Sequence, residues 1–312
     1  MKPGRAEPAS RRPFAVRGLF AAAAAVLSLA ACAVDNGRDA PGSSLYAHPQ
    51  RVAIEGYSDH AMEPFLSRDG RHLFFNNLNH PSVDTNLHVA ERIDATRFRY
   101  NGELQGANTT ALDGVASMDR SGNLYFVSLR DYEKTFSTIF RGKYADGVVT
   151  GVAHVPGISR HQSRYVNFDV DVSPDGDHLY FVDGRFGLLG PQTADIVVAE
   201  RRGAEFAPLP DSADLLRNVN TDALEYAPCI SADGRMLLFT RMRARLGARP
   251  SIFVARRDSV AEPFRPAEKL VALDGHVEAP TLSVDERSVY YHKKEGDRFV
   301  IFMASRLGSV DP

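Results

Sequence analysis

One pattern recurs five times along this chain, and it restricts the fold more than any other property of the sequence. Its copies run over Glu63–Phe75, Val115–Phe126, Asp169–Phe181, Ala227–Phe239 and Ala279–Tyr291. Each joins two apolar runs through a Ser-x-Asp-Gly turn or a variant of it. The glycine position falls at Gly70, Gly122, Gly176, Gly234 and Glu286, at intervals of 52, 54, 58 and 52 residues. This is the chemistry of a β-hairpin. The turn aspartates Asp69, Asp175, Asp233 and Asp285 can bond their own backbone, and glycine supplies positive φ without steric cost. The second copy substitutes Ser121-Gly122. The fifth has Asp285-Glu286, which predicts a strained or different turn there.

A third strand follows each hairpin: Leu87–Arg92, Ile139–Lys143, Ile196–Arg201, Ile252–Arg257 and Ile301–Arg306. These runs are β-branched and aromatic. A weaker fourth strand begins near Phe98, Val148, Phe206 and Phe264. Four strands per repeat of about 50 residues is the arithmetic of a β-propeller blade. The fifth repeat stops after its third strand, and an open edge invites aggregation. Val52-Ala-Ile-Glu-Gly56 matches Val271-Ala-Leu-Asp-Gly275, so residues about 50–55 are expected to complete the last blade and close a five-bladed, all-β ring.

The repeat resembles the TolB-type, WD-repeat-like propeller repeat, roughly Glu-x-Pro-x-x-Ser-x-Asp-Gly-x-x-Leu-x-Phe followed by an Ile-Tyr-Val-type strand ending in Arg. Copies one, four and five match it closely, copy three lacks the Pro, and copy two is degenerate. The resemblance spans residues 50–306. It implies a propeller domain over 48–312 and a non-catalytic envelope protein that binds a protein or peptide partner. TolB's extra N-terminal domain is missing from the sequence pattern, so TolB's particular partners do not carry over.

The segment before the repeats reads as an address. Arg5, Arg11, Arg12 and Arg17 precede a 12-residue apolar run, Gly18–Leu29, which is short for a membrane span and suits an export signal over residues 1–31. Leu29-Ala30-Ala31-Cys32 resembles a bacterial lipobox. That resemblance implies cleavage before Cys32, its lipidation, and a membrane anchor held by several acyl chains. Residues 32–47, small, polar and rich in Pro and Gly, are expected to form a flexible tether. Ala33 in place of Asp points to the outer membrane.

Loss of residues 1–31 leaves 281 residues and moves the formal charge from −2 to about −6. A mildly acidic chain without a basic block does not bind nucleic acid. With Cys32 lipidated, Cys229 has no disulfide partner, and its place in a strand predicts a buried, inert thiol.

No nucleophile-elbow, zincin, Cys-x-x-Cys or phosphate-loop motif occurs, so no cofactor or metal is expected. Asp169–Asp177 fails the spacing of a calcium loop, because Pro174 takes the glycine position. The candidate binding residues are one acid per repeat, four to six positions before the turn serine: Glu63, Asp113, Asp169, Glu225 and Glu278. First strands line a propeller's channel, and offsets of four and six share a strand face. Either four of these acids ring a channel mouth and attract a cation or a basic peptide, with Glu278 out of register, or they are solvated loop acids. Two further readings stay open: a five-bladed carbohydrate-active enzyme, which needs two carboxyls across a central pocket, and a small-ligand receptor. Trp is absent, which removes the commonest sugar platform. His154, His161, His276 and Arg185 are expected in or near loops.

Overall fold

A computed structural model describes residues 42–80, 83–188, 190–243 and 247–308. The expected signal and Cys32 lie outside them. Three short strands lead in: β1 (Gly42–Ser43), β2 (Tyr46–Arg51) and β3 (Ala53–Glu55). Five antiparallel units follow: β4–β7 (Met62–Leu66, His72–Asn76, Leu87–Arg92, Arg97–Glu103), β8–β11 (Asp113–Met118, Asn123–Ser128, Ile139–Ala145, Val148–His154), β12–β15 (Tyr165–Val172, His178–Gly187, Gly190–Arg202, Glu205–Pro208), β16–β19 (Leu224–Ile230, Met236–Met242, Ser251–Arg256, Glu268–Leu270) and β20–β22 (Val277–Leu282, Ser288–Glu295, Arg298–Arg306). These are the five blades. A single parallel bridge, Ala194 to Leu224, links the third to the fourth.

The ring closes as a propeller requires, but with an earlier segment than residues 50–55. β2 pairs antiparallel with β22, from Tyr46 opposite Arg306 to Arg51 opposite Phe302. β3 instead lies parallel to β7 in the first blade, and β1 parallel to β19 in the fourth. Residues 42–47, expected in the tether, therefore belong to the fold. The reason is Tyr46: its ring is fully buried between blades, and its hydroxyl donates to the Glu286 carbonyl at 3.0 Å. Apolar clusters fill each of the five junctions between neighbouring blades.

The hairpin turns show why the repeat has its residues. Ser67 donates to Asp69 at 2.5 Å, Asp69 accepts from the Arg71 N–H, and Ser67 Oγ accepts from the His72 N–H. The turns at Asp175, Asp233 and Asp285 repeat this set. Partial burial pulls these aspartates up, but the serine hydroxyl and backbone N–H hold them below the usual carboxylate range. In the degenerate second copy Asp119 stands at the serine position and accepts from both the backbone and side chain of Asn123. The fifth turn is the same turn, not a different one. Glu286 takes the left-handed backbone at φ 57°, and its carboxylate accepts from the Ala232 N–H of the neighbouring blade. The arginine ending the third strand caps the turn: Arg201 and Arg257 donate to the carbonyls of Gly176 and Gly234.

Every innermost strand carries a β-bulge at one place. The residue four before the turn serine, or before Asp119, adopts φ of 47–55° in Glu63, Val115, Asp169, Ala227 and Ala279. The strand register slips at each. A bulge re-aims side chains, and here it does so toward the channel.

Candidate functional site: the channel carboxylates

The bulge overturns the expectation that acids at offsets four and six share a face, because that expectation assumes unbroken alternation. It sorts the five acids into two groups. Asp113 and Glu225, at offset six, are fully buried and each is paired with an arginine. Asp113 accepts from Arg130 at 2.7 Å and from the backbone and hydroxyl of Thr109. Glu225 accepts from Arg241 at 2.7 Å and from the backbone and hydroxyl of Thr221. Each guanidinium lies over two aromatic rings, Phe126 and Phe140 for Arg130, Phe239 and Phe253 for Arg241. With their oxygens engaged, these two acids do not serve a ligand.

Glu63, Asp169 and Glu278 form the second group, and Glu278 joins it rather than standing out of register. They come from blades one, three and five and act on one another electrostatically. Burial raises Glu63 well above the ordinary range, and the charges of Asp169 and Glu278 raise it further. No group among the described residues donates to its carboxyl. Burial raises Asp169 to about 7 against one opposing hydrogen bond from the Ala227 N–H, with Glu278 adding to the rise. Its other oxygen has no partner among the described residues. Glu278 goes the opposite way. Burial pulls it up, but His276 and His292 outweigh this and hold it ionised. His276 Nε2 lies 2.5 Å from Oε1, and the Tyr226 hydroxyl donates to Oε2 at 2.8 Å. Glu63 and Tyr226 are only partly buried, so solvent reaches the channel at this level.

The bulges are held across blade junctions. The N–H of Glu63 donates to His292 Nδ1, that of Val115 to Asn76 and that of Ala279 to Thr240. Each acceptor stands nine residues after its blade's turn serine. The third blade has Val182 there, and the Ala227 N–H uses Asp169 instead. The legible signal was a polar residue inside an otherwise apolar second strand: Phe-Phe-Asn76, Leu-Phe-Thr240, Tyr-Tyr-His292. Sequence reasoning passed over His292 and Tyr226 and placed His276 only as a loop residue.

Below this level the channel is bolted. Arg68 reaches from blade one to the carbonyls of Met118 and Val172 and to Asp171 at 3.1 Å. Asp171 also accepts from Ser117 and from the Ile230 N–H, so four blades meet at one carboxylate. The site therefore faces the end opposite the Ser-x-Asp-Gly turns.

The other candidates are placed elsewhere. His154 pairs with Asp131 at 2.9 Å in the second blade, His161 is an exposed loop residue bonded to the Thr135 carbonyl, and Arg185 is exposed. Cys229 is buried, and burial pushes its thiol up, as an inert cysteine requires. Among the described residues no set of three or more His, Cys, Asp or Glu is arranged to hold a metal ion. A groove of about 760 Å³ lies between blades one and two beside Arg71, Arg120 and Tyr144, on the turn side and away from these acids.

The chain is thus an all-β, five-bladed propeller with an acid-lined channel. No protein-family model and no curated protein matches it. Among solved structures it is similar to a putative exo-β-1,3-galactanase from Bifidobacterium bifidum s17, with 10% identity and a TM-score of 0.53 over 87% of this chain and 97% of that one. It is similar to a thermostable family-43 glycoside hydrolase, with 12% identity and a TM-score of 0.52 over 84% and 98%. TolB from Acinetobacter baumannii aligns at 13% identity and a TM-score of 0.46, over 79% of this chain and 55% of TolB. At these identities the likeness establishes the propeller fold.

Proposed function

We propose that the protein is a carbohydrate-active hydrolase working from the open half of its channel. One observation carries this reading: carboxyls from blades one, three and five meet in one cluster at the solvent-reached half of the channel, with burial raising Glu63 and Asp169 while His276 and His292 lower Glu278. Carboxylate-catalysed glycoside cleavage needs one carboxyl that arrives protonated and one that arrives ionised. Glu63, raised well above the ordinary carboxyl range and with no donor to its carboxyl among the described residues, is the proton donor to the leaving oxygen. Asp169, with one free oxygen, is the base for the attacking water. Glu278 is the pinned negative charge that helps keep Glu63 protonated. Tyr226, partly exposed beside Glu278, offers a ring and hydroxyl to a sugar in a chain that lacks Trp. The fold is one that glycoside hydrolases also use, which is consistent with the proposal without carrying it.

The test is hydrolysis of a panel of aryl glycosides and plant, fungal and bacterial oligosaccharides by the purified ring. General acid catalysis contributes about 10²–10⁴-fold, so Glu63→Gln should lose at least about 10²-fold in kcat on substrates with poor leaving groups. A wild type inert toward the whole panel sinks the reading, and so does a Glu63→Gln variant with full activity. The address forms part of the same proposal: an exported ring tethered through a lipidated Cys32. Cys32→Ser should move the protein from the membrane fraction to the soluble periplasm. An unchanged membrane fraction refutes the anchor.

A further inference from the structure

His292 does more than the repeat asks of its position. The other polar residues nine after the turn serine, Asn76 and Thr240, each supply an acceptor for the next blade's bulge, and the Asn76 amide donates only within its own loop, to the Asn77 carbonyl and Asn79. A histidine brings a second nitrogen. His292 Nδ1 accepts from the Glu63 N–H at 3.1 Å. In the neutral ring the proton then sits on Nε2. That nitrogen is buried, has no hydrogen-bond partner among the described residues, and lies 3.9 Å from Glu278 Oε1, beyond hydrogen-bond length. The ring is fully buried and packs edge-on against Phe299 at 5.4 Å. It has no room to swing away.

We infer that His292 is a positioning residue that ties the proton donor Glu63 to the pinned charge of Glu278: one ring nitrogen mounts the left-handed backbone carrying Glu63, and the other presents its N–H to Glu278. This rests on the acid–base reading above. The groups facing the ring are Glu63 from β4, Glu278 and the neighbouring His276 from the start of β20, and Phe299 from β22. Lys293 and Lys294 follow it on its own strand, with Lys294 stacked over Phe299. Protonating His292 on Nδ1 would break the bond to the Glu63 N–H. The ring therefore acts through its Nε2–H tautomer.

Two side chains separate the halves of the role. Asparagine, the first blade's residue at this position, keeps an acceptor for the Glu63 N–H and, its amide being shorter than the imidazole, withdraws the donor that faces Glu278. Alanine removes both. Three measurements decide. Long-range ¹⁵N–¹H spectra of the wild type should show His292 protonated on Nε2; a proton on Nδ1 overturns the inference whatever the catalytic outcome. Carboxyl ¹³C titration should show Glu278 ionising at higher pH in His292→Asn than in wild type, at equal thermal stability. An unmoved Glu278 in a folded His292→Asn leaves His292 an ordinary bulge acceptor and refutes the proposal. In turnover, His292→Asn should move the pH profile with little change in KM. His292→Ala should in addition lose about 10²-fold in kcat, the cost of misplacing a reacting group by about 1 Å. If no glycoside is turned over, the functional proposal fails, while the tautomer and the titration still judge His292.

Discussion

At the scale of the residue, the channel is held away from the ordinary behaviour of carboxyls. Two of its acids, Glu63 and Asp169, sit on left-handed backbone, a conformation that costs a non-glycine residue of order 1–3 kcal/mol and recurs at functional sites. Asp169 also has a pH signature. Its ordinary value of 3.8 is raised to about 7, so the folded state binds a proton that the unfolded chain has released. The stability this contributes is complete below about pH 4 and is lost as pH rises through 7. Asp169→Asn keeps an acceptor for the Ala227 N–H and removes the titration. Its stability relative to wild type should therefore climb between pH 4 and 8, measured by denaturant unfolding across that range. A constant difference would mean that Asp169 is ionised throughout. Glu278 works in the opposite sense: its stabilisation is present above its ordinary value of 4.5 and fades in acid.

The hairpin turn is the unit at the scale of the element, and it is over-determined. Serine, aspartate and a capping arginine each satisfy backbone groups, while the glycine position alone carries the left-handed residue. At Gly234, with φ 70°, an added Cβ would stand 3.1 Å from Val260 Cγ1. Gly234→Ala should lower stability by roughly 1–2 kcal/mol, the penalty for a left-handed L-residue. Glu286→Gly at the matching place in the fifth turn should change it far less, because relief of that strain is offset by loss of the bond from the Ala232 N–H. Thermal unfolding of the two variants side by side checks this. Equal losses would show that the conformation does not limit these turns. The Asp113–Arg130 and Glu225–Arg241 pairs are also element-scale devices, pinning the loop before an inner strand to the strand behind it.

For the whole molecule, closure decides everything. The fifth blade has three strands of its own, and β2 covers the edge of β22. Deleting residues 42–51 removes Tyr46 and uncovers that edge, which predicts a lower unfolding midpoint and association through the free strand. Size-exclusion chromatography with thermal unfolding would show both. A monomer of unchanged stability would mean that the ring is held by its blade junctions alone. The bolt of Arg68 and Asp171 belongs to this scale too, since it binds four blades together and leaves the channel open at one end.

Spacing and composition alone specified the repeat, the four-strand blade, the five-fold count and the inert Cys229, because strand alternation, turn chemistry and burial are local properties written residue by residue. They specified the candidate acids only as a list. Which of those acids meet was decided by the bulge, a one-residue slip that reverses side-chain direction and leaves no apolar mark of its own. It placed Glu63, Asp169 and Glu278 together and sent Asp113 and Glu225 to half-buried arginines. The partners that lower Glu278, His276 and His292, belong to the fifth blade and are distant in sequence from Glu63. Only closing the ring, which brings residue 292 against residue 63, turns a row of repeat acids into a site with different charges at each carboxyl.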